Sequence, residues 1–259
     1  MKFKAPQYAR GISQLELIYS EGFDEALWSN LQSQFIDVSF DFNLSPRLPL
    51  GKQAEKYVSQ MIKNSSRYEL ILENHQVIEG KRTVGELDFI ILDTFSNTHI
   101  HLELATKFYL KKEDEWVGPN LKDRLDLKIG KYHSHQQSII ENAIVKSTLK
   151  ELNIEHVKSH LLIIGQLYER KEGEEITLAD LNQAWIPYAI FSQQKFLENM
   201  MFNIPTKKDW VIEMKENNIW YSKEDVMMGL TEAVNIRRSQ MIWMSDKAGS
   251  YSRFFVTWW

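Results

Sequence analysis

Cysteine is absent, which excludes disulfides and thiolate metal sites. No apolar run approaches the ~20 residues that a membrane-crossing helix needs, so no membrane partner is expected. Residues Met1 to Arg10 lack the apolar stretch of a secretory signal, which makes the cytoplasm the expected compartment. Positive charge is not in excess either: the formal net charge is −4, whereas a non-specific nucleic-acid binder is usually basic. That balance argues against a large nucleic-acid interface. It leaves room for an enzyme whose carboxylates sit in a site while lysines line one cleft. Internal repeats, low-complexity tracts and Gly/Ser linkers are all missing. What remains is an ordinary globular composition, 43% hydrophobic and 25% charged over 259 residues, enough to bury a sizeable core.

Hydrophobic periodicity orders the chain. Phe23–Gln34 reads as a short helix. Ala54, Tyr57, Val58, Met61 and Ile62 follow the i, i+3, i+4, i+7, i+8 spacing of a helix with one buried face. Arg67 to Ile78 and Arg82 to Asp93 read as strands on either side of the turn at Glu79-Gly80-Lys81. The next strand alternates over eleven residues. Ile100, Leu102, Leu104, Thr106, Phe108 and Leu110 take one face; His99, His101, Glu103, Ala105 and Lys107 take the other. A helical pattern then runs from about Lys122 to Leu152 with a break near Gly130, and Ser159 to Leu167 reads as a buried strand. Strands joined by short turns should be antiparallel, and the last should cross over the helix to pair in parallel with an earlier one. Leu178 to Leu197 is expected to be partly helical, and Lys223 to Arg237 a helix capped by Ser222. Met241–Met244 and Phe254–Trp258 are expected to pair across the turn Asp246 to Gly249. The closing Trp258-Trp259 reads as packing.

Chemistry concentrates on the strands. Gly85-Glu86-Leu87-Asp88 lies on the second, and Glu103 and Lys107 lie on the third. If those strands form a hairpin, Asp88 and Glu103 meet on one face. Carboxylates that close repel and call for a cation, and hard divalent ions such as Mg²⁺ take oxygen ligands. Strand interiors are depleted in Asp, which makes Asp88 notable, with Glu86 on the same face as a substitute. His101, two residues before Glu103, is a candidate supporting group, although a packed strand histidine is the commoner outcome. Lys111, Lys112, Arg124 and Lys128 follow as candidate phosphate contacts, Arg124 being suited to bidentate binding. Interspersed acids there also fit a solvated face.

The order helix, three strands, helix, strand, with Asp on the second strand and Glu near a Lys on the third, resembles the PD-(D/E)XK, or restriction-endonuclease-like, superfamily. The resemblance implies that Asp88 and Glu103 bind Mg²⁺ or Mn²⁺, that Glu55 on the first helix assists, that Lys107 orients or activates water, and that Gln136 lies near the metal. More narrowly, Gly85-Glu-Leu-Asp-Phe89, His101-Leu-Glu-Leu-Ala-Thr-Lys-Phe-Tyr-Leu110 and Gly118-Pro-Asn-Leu-Lys-Asp-Arg-Leu-Asp-Leu-Lys128 resemble a bacterial family, domain-of-unknown-function family 1853. In the superfamily motif the lysine follows the acid by two residues. Here Ala105 holds that place, and Lys107 stands about 7 Å further along the strand. The expectation is therefore an α/β protein with a restriction-endonuclease-like core at 45–170. An N-terminal extension at 1–44 and an α+β extension at 171–259 flank it. The expected activity is metal-dependent hydrolysis of DNA or RNA. The alternatives are a catalytically inactive nuclease-like protein that binds nucleic acid or a protein partner, and a small-phosphate hydrolase.

Overall fold

A computed structural model describes residues 5–21, 28–29, 47–172, 176–177, 179–246 and 248–259. The helix expected at Phe23–Gln34 lies almost wholly outside them; Trp28 and Ser29 are helical. The chain is mixed α/β and divides into two compact units. One, here the site unit, comprises Ile12–Thr106 and Lys128–Gly165; the other, the terminal unit, comprises Met1–Gly11, Lys107–Leu127 and Gln166–Trp259.

Helix α1 (Ala5–Ser13) ends in the site unit, where strand β1 (Glu16–Glu21) and helix α2 (Leu50–Lys63) come after it. Pro49 fixes the entry to α2, where a missing N–H costs nothing. Ala54, Tyr57, Val58, Met61 and Ile62 are all buried, as their spacing requires. Burial of side chains such as Val58, Met61 and Ile62 stabilises by about 1.5–3 kcal/mol each. Strands β2 (Tyr68–Glu79) and β3 (Arg82–Asp93) form an antiparallel hairpin, and β3 pairs antiparallel with β4 (Thr98–Lys112). Strand β6 (Val157–Arg170) lies beside β4, and β1 pairs antiparallel with β6. Two helices stand where the sequence suggests one interrupted near Gly130: α3 (Leu125–Ile140) runs through Gly130, and α4 (Ala143–Glu151) begins after Asn142. The break lies at Asn142 because its side chain accepts a hydrogen bond from Ile144 N–H, satisfying an end that a continuous helix would not have. Val77, Leu87, Ile90, Ile139, Val145 and Leu149 share the core of this unit. Ile139 packs so closely on Gly85 that a Cβ there would collide with it.

The terminal unit holds α1 as far as Gly11, the last residues of β4, the short β5 (Glu115–Val117) antiparallel to them, and the end of β6. Strand β7 (Ala184–Pro187) runs parallel to both β6 and β10 (Tyr251–Thr257). Strand β9 (Gln240–Ser245) pairs antiparallel with β10 and with β8 (Met201–Asn203). Helix α5 (Tyr188–Gln193) follows β7, so the region around Leu178–Leu197 is part strand, part helix. Helix α6 (Lys223–Asn235) starts at Ser222 with a full capping box closed by Asp225. The β9–β10 pairing matches the hairpin expected from the sequence. Trp185 and Trp259 pack against each other, ring centroids 4.5 Å apart.

Candidate functional site

Three carboxylates converge in the site unit. Glu55 comes from α2; Glu86 and Asp88 come from β3. One oxygen of each lies within 4.8 Å of the others. Strand periodicity puts Glu86 and Asp88 on one face of β3. Glu55 lies on the buried side of α2, which carries it toward the sheet with Ala54 and Val58.

Asp88 sits just past the last β3–β4 pair, and opposite Asn74 in an unbroken β2–β3 register. Toward β4 the register runs from Asp93↔Thr98 to Phe89↔Leu102. Beyond it, Leu104 N–H donates to Asp88 Oδ2 at 2.9 Å, a side chain taking the role of a ladder carbonyl. Toward β2, Asn74 falls between the pairs Glu73↔Phe89 and His75↔Leu87 and has φ +51°. Asn tolerates the left-handed region better than most residues, but a strand interior seldom requires it. Such departures concentrate at functional sites.

Burial sets the electrostatics. Glu55 and Asp88 are each only 9% exposed. Burial raises the pKa of Asp88, against which the Leu104 N–H and the charge of Lys52 work. Burial also raises Glu55, offset by its bond to Lys52 and reinforced by Asp88. Glu103 on β4 is pushed up to about 7 by burial and by Asp88, with Lys128 opposing. Each of these acids is thus short of positive charge, and Glu103 is coupled to both Asp88 and Glu55.

Two lysines answer that shortage. Lys52 Nζ lies 2.6 Å from Glu55 Oε2 and 2.8 Å from Glu86 Oε1, and it donates to Asn74 Oδ1 at 3.0 Å. Burial works against its charge, but the two carboxylates outweigh that and hold it protonated above the ordinary lysine range. Lys128 Nζ lies 3.5 Å from Glu103 Oε1. Lys52 was missed in the sequence. Its only signal was the i, i+3 spacing to Glu55 on the same helix, a pattern common on solvated faces.

Lys107 belongs to the terminal unit, where it pairs with Asp123. Arg124 has its guanidinium engaged by Glu115 at 2.8 Å and Asp126 at 2.6 Å. Lys111 donates to Asp114 O and lies over the Trp116 ring; Lys112 lies over Trp259. These three are also in the terminal unit, whereas Lys128 is in the site unit. His101 is fully buried, with no hydrogen-bond partner for either ring nitrogen among the described residues. Burial, then the charge of His160, pushes it down to about 4, so it is neutral at ordinary pH. Gln136 lies in α3, but its side chain is outside the described residues.

Residues 26–255 match a family model described as a domain of unknown function, DUF1853. The chain belongs to this family. No curated protein and no solved structure matches it. The matched stretch of this chain runs through both compact units and includes the residues of the centre.

Proposed function

We propose that this DUF1853 protein is a divalent-metal-dependent phosphodiesterase acting on DNA or RNA. The observation that carries the reading is the convergence of Glu55, Glu86 and Asp88, with Glu103 coupled to them. The donor set fits the ion: all are hard carboxylate oxygens, suited to Mg²⁺ or Mn²⁺ and not to softer metals. Ligands about 2.1 Å from such an ion stand roughly 3–4 Å from one another, so small side-chain rotations would bring a 4.8 Å cluster into range. Asp88, Glu55 and Glu103 would hold the ion, with Glu86 as a fourth donor. When bound, such an ion neutralises charge on a phosphoryl group and acidifies water.

The chain's own groups then have distinct tasks. Glu103, whose pKa burial and Asp88 push up to about 7, would give up a proton on taking the ion as a ligand. Lys128, beside Glu103, places a fixed positive charge where negative charge would develop. Asp88, anchored by Leu104 N–H, holds its carboxylate in one orientation. In the terminal unit Lys111, Lys112 and Arg124 are candidates for phosphate contact, and Lys107 is engaged with Asp123.

A second reading, an inactive nuclease-like protein that binds nucleic acid, is favoured by one observation: Ala105, buried on β4, stands where the superfamily motif has its lysine. One experiment separates the two. Mn²⁺ binding by calorimetry and cleavage of single- and double-stranded DNA and RNA are measured for wild type, Asp88→Asn and Glu103→Gln. Binding and cleavage by wild type, with both lost in the variants (at least about 100-fold in rate), support the enzyme. Metal binding without cleavage of any substrate supports the inactive binder. No metal-dependent cleavage and no metal binding overturn the proposal.

A further inference from the structure

We propose that Lys52 is a tethered cation that seats itself among the carboxylates and must leave when a divalent ion enters, so that it sets the metal affinity of the centre. The inference rests on the metal reading above and deepens it.

The geometry singles out Lys52 among the lysines of the site unit. Its ammonium bridges two of the three converging carboxylates, Glu55 and Glu86, at 2.6 and 2.8 Å. It donates hydrogen bonds to Glu86 Oε1 and Asn74 Oδ1 and meets Glu55 as an ion pair. The acids it bridges come from different elements, α2 and β3, whereas Lys52 precedes Glu55 by a single helical turn. One compact charge therefore neutralises two of the carboxylates that a metal would need. Its side chain is 43% exposed, so a path outward to solvent exists without unfolding the helix. Lys128 differs: its ion pair among the described residues is with Glu103, at 3.5 Å, and it acts on Asp88 through its charge.

Competition follows from electrostatics. Ammonium and a divalent ion both gain from the same carboxylates, and both cannot occupy their midpoint. The doubly charged ion gains more, but its net gain is reduced by the pairings that Lys52 gives up. Asn74, the third partner, is held at φ +51° beside Asp88, which marks the seat as a place where local strain accompanies the ion pair.

The test uses the full-length protein stripped with a chelator. Mn²⁺ binding is titrated calorimetrically for wild type, Lys52→Met, Lys52→Arg and Asp88→Asn. Lys52→Met, which keeps length but removes charge, is expected to bind Mn²⁺ at least about tenfold more tightly than wild type, with Lys52→Arg closer to wild type. Independently of any variant, acylation of wild-type Lys52, read by mass spectrometry, is expected to rise when Mg²⁺ is added. Lys63, which is paired to Glu73 on β2, serves as an internal control. Equal or weaker binding by Lys52→Met, or Lys52 labelling that does not rise with Mg²⁺, overturns the competition. If wild type still binds and Asp88→Asn does not, the metal reading survives that result. Absence of binding by wild type and Lys52→Met alike removes the metal reading and this inference together. Binding by Lys52→Met alone supports Lys52 as the occupant that excludes the metal.

Discussion

At the far end of β3 from the carboxylate centre, Asp93 shows what a satisfied buried acid looks like. Its carboxylate accepts both arms of Arg67, at 3.0 and 2.8 Å, together with the Ser96 hydroxyl at 3.0 Å and Phe95 N–H at 3.1 Å. The Arg67 bonds, foremost, hold its pKa down to about 2. Asp88, Glu55 and Glu103 shift the other way because burial removes water without supplying as many donors. The contrast yields a pH prediction. A folded pKa below the unfolded value of about 3.9 means that Asp93 stabilises fully above that value and loses its contribution as pH falls toward 2. Asp93→Asn should cost about 1–2 kcal/mol at pH 6, a discounted figure because Arg67 is partly exposed. The gap between variant and wild type in urea denaturation should shrink steadily between pH 4 and pH 2. A gap independent of pH would mean that packing, not charge, holds the turn.

Among the elements, α3 departs most from its sequence pattern. Gly130 suggested a break, yet the helix passes through it and stops at Ile140. Glycine weakens a helix interior by about 0.5–1 kcal/mol relative to alanine, and here the rest of the helix sustains it. Nothing lies within 4 Å of a Cβ built on Gly130. Gly130→Ala should therefore stabilise the protein by about that amount, seen as a higher urea midpoint. Gly11 gives the opposite expectation. Its Cβ would run into the carbonyl of Val211, so Gly11→Ala should destabilise by about 1–3 kcal/mol as α1 is forced off its seat. If Gly130→Ala instead destabilised the protein, the continuous helix would be the wrong description.

For the whole molecule, the two units allow the metal reading to be located. All four carboxylates and both lysines of the centre belong to the site unit. Mn²⁺ at about 100 times its dissociation constant should add roughly 2.7 kcal/mol to the state that binds it. Hydrogen exchange should show that protection in β3 and α2 and leave α6 and β8 unchanged; Asp88→Asn should abolish it. Protection that instead concentrated in the terminal unit would place the ion elsewhere.

Much of the fold was legible in the residues, for a definite reason. Period-two alternation from His99 to Leu110 and the 3.6-residue stripe of α2 are local patterns, and burial enforces them wherever the element docks. The helix, three strands, helices, strand order of the site unit follows from such patterns, as does the Ser222 cap. Short strands such as β5, β7 and β8 escaped notice because three or four residues are too few to show a period. In the site, Asp88 and Glu103 were visible as acids in strands, and Glu55 only through a resemblance. Their mutual repulsion, the seat of Lys52 between Glu55 and Glu86, and the pairing of Lys107 with Asp123 belong to the tertiary structure. Which charges meet is decided by residues brought together from far along the chain, and by how much water the packing removes around them. A sequence states what each element can bury; only the assembled fold decides which ions must share the space that burial leaves.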